Sequence, residues 1–171
     1  MCLAGFSAKF CIQSREIPVA AIEDSPYLPA FALVLWFVHL MRKRILIVED
    51  EIAVRTAVRT FFECQPHLEV CGEATNGVEA LEKTVALRPD LILLDLSMPI
   101  MNGVEVASLI RARMPTTPVV VYTMFDDVLG KPLAATLGIA AIVSKSDGLS
   151  KLLARVDALL ASNALVQPPA T

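Results

Sequence analysis

Five short runs of branched and apolar residues recur along one stretch of the chain, and each is separated from the next by a helical pattern. The runs are Arg44–Val48 (RILIV), the weaker Leu68–Ala74, which is interrupted by Glu69, Gly72 and Glu73, Leu91–Leu94 (LILL), Pro118–Tyr122 (PVVVY) and Ala140–Ser144. Continuous apolar runs of this length suit strands that are buried on both faces. Strict alternation of strand and helix leaves few topologies. The natural outcome is an α/β fold with a five-stranded, parallel, doubly wound sheet covered by helices on both sides.

The helices carry their own punctuation. Glu51 to Cys64 places Val54, Val58, Phe61 and Phe62 on one face. Thr75-Asn76-Gly77 forms a turn, with Asn76 as the better N-cap. Val78, Leu81 and Val85 mark the next helix, which Pro89 closes. Gly103 to Met114 is a helix with Val104, Ala107, Ile110 and Met114 inward. Asp126 to Leu137 is a poorer helix because Gly130 and Pro132 lie inside it, and Gly138 is its stop. Leu149, Leu152, Leu153, Val156, Leu159 and Leu160 give the last helix a clean apolar stripe.

The regular pattern occupies residues 41–162, read as one domain, and residues 163–171 read as a tail. Residues 1–40 differ and form an N-terminal apolar extension. Ser25 to Met41 has no charge and precedes Arg42-Lys43-Arg44. It lies at the lower edge of spanning length, and Pro26 and Pro29 shorten any helix in it. The extension is therefore read as an over-extended start or unstructured leader, a membrane anchor, or a packed accessory helix. Met41 is itself a natural opening for the first strand. A signal peptide fits poorly, since no basic segment opens the chain.

Composition narrows the function. Hydrophobic residues at 55% against 19% charged exclude a disordered chain, and a pI near 5.4 offers no basic footprint, so direct nucleic-acid binding is not expected. Cys2, Cys11, Cys64 and Cys71 form no CxxC pair and have no histidine cluster beside them. They read as reduced thiols of a cytoplasmic protein rather than a zinc site or disulfide framework.

The chemistry gathers at the carboxyl ends of the strands, where open sheets of this kind bind ligands. Glu49, Asp50 and Glu51 follow the first strand, Asp95 the third, Thr123 the fourth and Lys145 the fifth. Taken singly, each has an ordinary role as a cap, a loop acid, a strand residue or a surface charge. Four of five strand ends agreeing is what points to a site. Glu49, Asp50 and Asp95 packed together would repel one another, and a hard cation such as Mg²⁺ relieves that repulsion. An anion would fit between the metal and Lys145, and a phosphoryl group on Asp95, touched by Thr123, would fill that place.

These residues stand in stretches that resemble the receiver domain of two-component response regulators: ILIVEDE (Ile45–Glu51), LILLDLSMPIMNG (Leu91–Gly103), VVVYTMF (Val119–Phe125) and IVSKSD (Ile142–Asp147). The resemblance runs from about Arg42 to Ser162. It implies a flavodoxin-like receiver fold with strand order 2-1-3-4-5, and a phosphoacceptor at Asp95. It implies Mg²⁺ held by Glu49, Asp50 and Asp95 with the backbone carbonyl of Ser97. Thr123 matches the switch hydroxyl and Lys145 the phosphate-binding lysine. The implied donor is a histidine kinase or phosphotransfer protein.

Three positions depart from the family pattern. Ile142 stands where many members carry a switch aromatic, so the usual rotamer change cannot occur there. Ser146 follows Lys145 where many have proline, and Glu49 replaces the commoner aspartate. Only 26 residues follow Lys145, so the reading is a single-domain regulator, not an enzyme, whose output is altered binding to a downstream protein through the fourth helix, fifth strand and fifth helix. A receiver-like scaffold that takes no phosphate is an alternative. A haloacid-dehalogenase-type phosphatase needs a second aspartate where Ser97 stands. A nucleotide-binding domain lacks its glycine motif.

Overall fold

Hydrophobic alternation fixes the layers of the fold. In the computed structural model, which describes residues 42–124 and 131–164, five parallel strands form one sheet in the order β2-β1-β3-β4-β5. The strands are β1 (Lys43–Val48), β2 (Leu68–Ala74), β3 (Leu91–Leu94), β4 (Val119–Thr123) and β5 (Ile139–Ser144). The helices are α1 (Ile52–Glu63), α2 (Gly77–Leu87), α3 (Gly103–Arg113), α4 (Lys131–Leu137) and α5 (Leu149–Ala164). A single 3₁₀ turn, Lys145–Asp147, joins β5 to α5. This is the expected doubly wound receiver fold with its expected strand order.

Residues two apart along a strand face the same layer. Ile45 and Ile47 of β1, Leu91 and Leu93 of β3, and Val120 and Tyr122 of β4 pack with Val58 and Phe62 of α1 and Leu152, Val156 and Leu160 of α5. Leu46 and Val48, Ile92 and Leu94, and Val119 and Val121 face the other way. They meet Ala80 and Leu81 of α2, Val106, Ala107 and Ile110 of α3, and Ala134 of α4. β2 is an edge strand, half-buried in its middle.

Local signals account for most boundaries. Glu51 caps α1, and Asn76 caps α2 by accepting the Glu79 amide at 3.0 Å. Asn102 caps α3 in the same way, from the Glu105 amide at 2.9 Å. α2 ends on Arg88 in the left-handed region (φ 46°), where the following Pro89 disfavours a further helical residue. Gly138 ends α4 at φ 70°.

Two helix faces differ from expectation. α2 turns Gly77, Ala80, Leu81 and Thr84 inward, and Val78 and Val85 are exposed. Small residues win because α2 lies close to α3: a Cβ at Gly77 would collide with Val106 and Met101. On α3 it is Val106, rather than Val104, that is fully buried, while Val104 is partly buried against the same core. The expected start of α4 at Asp126, and Gly130, lie outside the described residues. Pro132 falls in the first turn of α4, where its missing N–H costs nothing. The readings of residues 1–40 and 165–171 also lie outside the described residues. Among the described residues no helix is long and apolar enough to cross a membrane.

Candidate functional site

β1 and β3 are neighbours, so the residues after them are held side by side. The Glu49 amide donates to Ala74 O at 3.0 Å, and the Asp95 amide donates to Val48 O at 2.9 Å. Both ladders thus extend one residue past the apolar runs, carrying two carboxylates to one sheet edge. Alternation along β3 turns Asp95 to the α1–α5 side. Its Oδ1 accepts the Leu96 amide at 2.6 Å and the Ser97 amide at 3.3 Å. Gly103 allows the returning loop to lie on this turn, since a Cβ there would collide with the Asp95 carbonyl and Leu96 Cα.

Lys145, first residue of the 3₁₀ turn, reaches over the site. Its Nζ lies 2.7 Å from Asp95 Oδ2 and 2.7 Å from Glu49 Oε2. Glu49 and Asp95 are almost fully buried, and Asp50 is exposed at the rim. Carboxylate oxygens of Glu49, Asp50 and Asp95 all lie within 4.8 Å of one another. Burial pushes the Glu49 pKa up, against the pull of Lys145. Burial works against the Lys145 charge too, but its hydrogen bonds to Asp95 and Glu49 prevail and hold its pKa above the ordinary value.

Three carboxylates and one ammonium leave a formal charge of −2. The donors are all oxygen, clustered tightly and open to solvent on one side. That set suits a hard divalent cation such as Mg²⁺, which keeps several waters and takes one or two carboxylates. Above it lies a cavity of about 530 Å³, bordered by Ser97, Val54, Tyr122, Met124 and Leu149 besides the charged residues.

The sequence-predicted residues are not all brought together. Glu49, Asp50, Asp95, Ser97 and Lys145 border one cavity. Thr123 is wholly buried at the end of β4, and alternation puts it on the face of Val119 and Val121, away from that cavity. Ile142 is half-buried and packs on that same far face. Two residues escaped the sequence reading. Tyr122 borders the cavity and is nearly buried; burial raises its phenol pKa. The period of two through PVVVY was the available signal. Arg55 donates from Nη1 to the carbonyls of Glu49 (2.8 Å) and Asp50 (3.2 Å), and nothing in the sequence marked it.

The comparisons agree with this geometry. Residues 45–157 match the response regulator receiver domain. A protein-glutamate methylesterase/protein-glutamine glutaminase of Thermotoga maritima is 36% identical over 84 residues, 49% of this chain and 24% of that protein. The chain spans between about a fifth and just over half the length of the first curated relatives it matches. Among solved structures, the response regulator domain of Thermotoga maritima CheB aligns with TM-score 0.64 and 26% identity, covering 74% of this chain and 99% of that one. The receiver domain of AraT, a response regulator from Geobacillus stearothermophilus, aligns with TM-score 0.64 and 28% identity, covering 75% and 100%. With an acidic cluster at the end of a 2-1-3-4-5 sheet and a matching sequence across two thirds of its length, this chain belongs to the response regulator receiver domain family and carries a module of two-component signalling.

Proposed function

We propose that Asp95 is the phosphoacceptor of this receiver. The observation that carries the reading is the Lys145 ammonium 2.7 Å from both Asp95 and Glu49, at the floor of an open acidic cavity. A carboxylate oxygen of Asp95 attacks the phosphorus of a phosphohistidine on a histidine kinase or phosphotransfer protein. The P–O bond forms, the P–N bond breaks, and the imidazole leaves, taking a proton from solvent. Glu49, Asp50 and Asp95, with the Ser97 carbonyl, would hold Mg²⁺, whose charge offsets the phosphoryl oxygens. Lys145 stays near the new anion and exchanges its carboxylate contact for a phosphoryl one. Backbone N–H groups of Leu96 and Ser97 hold the Asp95 side chain in its attacking orientation.

Thr123 reaches a phosphoryl oxygen only if the end of β4 re-orients, because it begins on the other face of the strand. Such a change would be felt by Ile142, which packs on that face. Output is then altered binding of a downstream protein at α4, β5 and α5, in the cytoplasm, with no chemistry on an external substrate. The far-side Thr123 and the missing aromatic at Ile142 also favour a second reading, a scaffold that never takes phosphate.

Intact mass of the full chain after incubation with acetyl phosphate distinguishes the two. A single phosphoryl adduct that requires Mg²⁺, disappears with chelator and is absent from Asp95→Ala is expected. Lys145→Ala should still accept the group but fail to change its partner binding. No adduct on the folded wild type would establish the scaffold reading instead.

A further inference from the structure

Arg55 stands in the first turn of α1, where the helix dipole disfavours a cation. It is nonetheless largely buried, with a side chain only 13% exposed. One nitrogen, Nη1, donates to two consecutive carbonyls, Glu49 O at 2.8 Å and Asp50 O at 3.2 Å. Successive carbonyls of extended backbone point in opposite directions. Both can meet one nitrogen only where the chain turns sharply, so the guanidinium grips the turn between β1 and α1. The grip is anchored from behind: Arg55 Nε lies 3.2 Å from Glu73 Oε2, near the end of β2. Arg59 holds the other oxygen of Glu73 at 2.7 Å but has no bond to the acidic turn.

We infer that Arg55 is a positioning residue for the cation site. By fixing the two peptide planes at Glu49 and Asp50, it sets where those two carboxylates project. The inference rests on the proposed Mg²⁺ site and concerns how that site is built. Simple electrostatics predicts the opposite effect, and this makes it testable. Removing a nearby positive charge should tighten binding of a divalent cation. Removing a group that orients the ligands should weaken it, by about tenfold or more.

The test is calorimetric titration of the full chain with Mg²⁺ alone, for wild type, Arg55→Ala, Arg55→Lys, Glu73→Gln and Arg59→Ala, with thermal unfolding recorded for each. Arg55→Ala should weaken Mg²⁺ binding about tenfold. Arg55→Lys should recover part of the loss, because an ammonium can meet a carbonyl but cannot also hold Glu73. Glu73→Gln should lose less than Arg55→Ala, and Arg59→Ala, the charge control, should bind as well as wild type or better. In the Arg55 variants the Mg²⁺ concentration that gives half-maximal Asp95 labelling by acetyl phosphate should rise in step with the weakened binding. Unchanged or tighter Mg²⁺ binding by Arg55→Ala overturns the inference while leaving the phosphoacceptor reading intact. If Arg55→Ala does not fold, unchanged binding by Arg55→Lys and Glu73→Gln together overturns it equally. A folded wild type that binds no Mg²⁺ overturns both the metal site and this role.

Discussion

At the scale of single residues, the backbone of the loop after β3 turns on two positions without functional groups of their own. Gly103 lets the loop that leaves Asp95 return across it at van der Waals distance. Gly103→Ala pushes a Cβ into backbone atoms, which cannot yield as a flexible side chain would. Its urea midpoint should fall, corresponding to about 2–3 kcal/mol of lost stability; an unchanged midpoint would mean that the loop can give way. Ile100 is the counterpart. It is β-branched, 83% exposed and has φ 74°, and the Met101 amide donates to Pro99 O at 2.8 Å across it. That bond spans a three-residue turn in its rare positive-φ form, a strained setting for isoleucine. Ile100→Gly should stabilise the domain by about 1 kcal/mol, since relief of strain outweighs the greater freedom of the unfolded chain. A lower denaturation midpoint would count against this. Asp95 and Lys145 were legible as candidates only through the coincidence of polar residues after successive apolar runs. Arg55 was not, because an arginine on a helix carries no sequence signal until its partners in β2 and the acidic turn are placed.

At the scale of elements, α2 shows how local bonds and packing divide the work. Glu79 accepts the Thr75 amide at 2.7 Å and hydroxyl at 3.0 Å, and pairs with Lys83 at 2.6 Å. The Lys83 and Thr75 bonds lower its pKa to about 2. A depressed carboxylate pKa contributes stability above the ordinary value of 4.5, and that contribution is lost as pH falls through 4.5 toward about 2. Glu79→Gln should therefore cost about 0.5–1 kcal/mol at neutral pH, limited by its partly exposed setting. Its thermal midpoint should meet that of wild type near pH 2, and a constant gap from pH 7 to pH 2 would refute the electrostatic origin. The capping residue of this element was readable, but of its buried face only Leu81 was. Val78 and Val85 look inward in a one-dimensional pattern, yet the close approach of α3 at Gly77 selects the small-residue side. Hydrophobicity ranks the residues, whereas the distance between two helix axes decides which of them fit.

At the scale of the whole molecule, all five strands begin after Arg42, and every core residue of the described domain lies between Ile45 and Leu160. Removal of residues 1–40 should leave a folded protein with an unchanged cooperative thermal transition. A truncated chain that fails to fold would show that the extension contributes to the core. The sequence by itself determined the strand–helix alternation, and through it the parallel sheet, its two apolar layers and the gathering of Glu49, Asp50, Asp95 and Lys145 at one edge. Those properties follow from periodicity and chain connectivity, which are local. Only the tertiary structure decided that Lys145 bridges Asp95 and Glu49, that Arg55 grips the acidic turn, and that Tyr122 rather than Thr123 faces the cavity. Those outcomes depend on register between strands and on distances across the chain. Residues 50 positions apart meet only after the sheet has set their spacing.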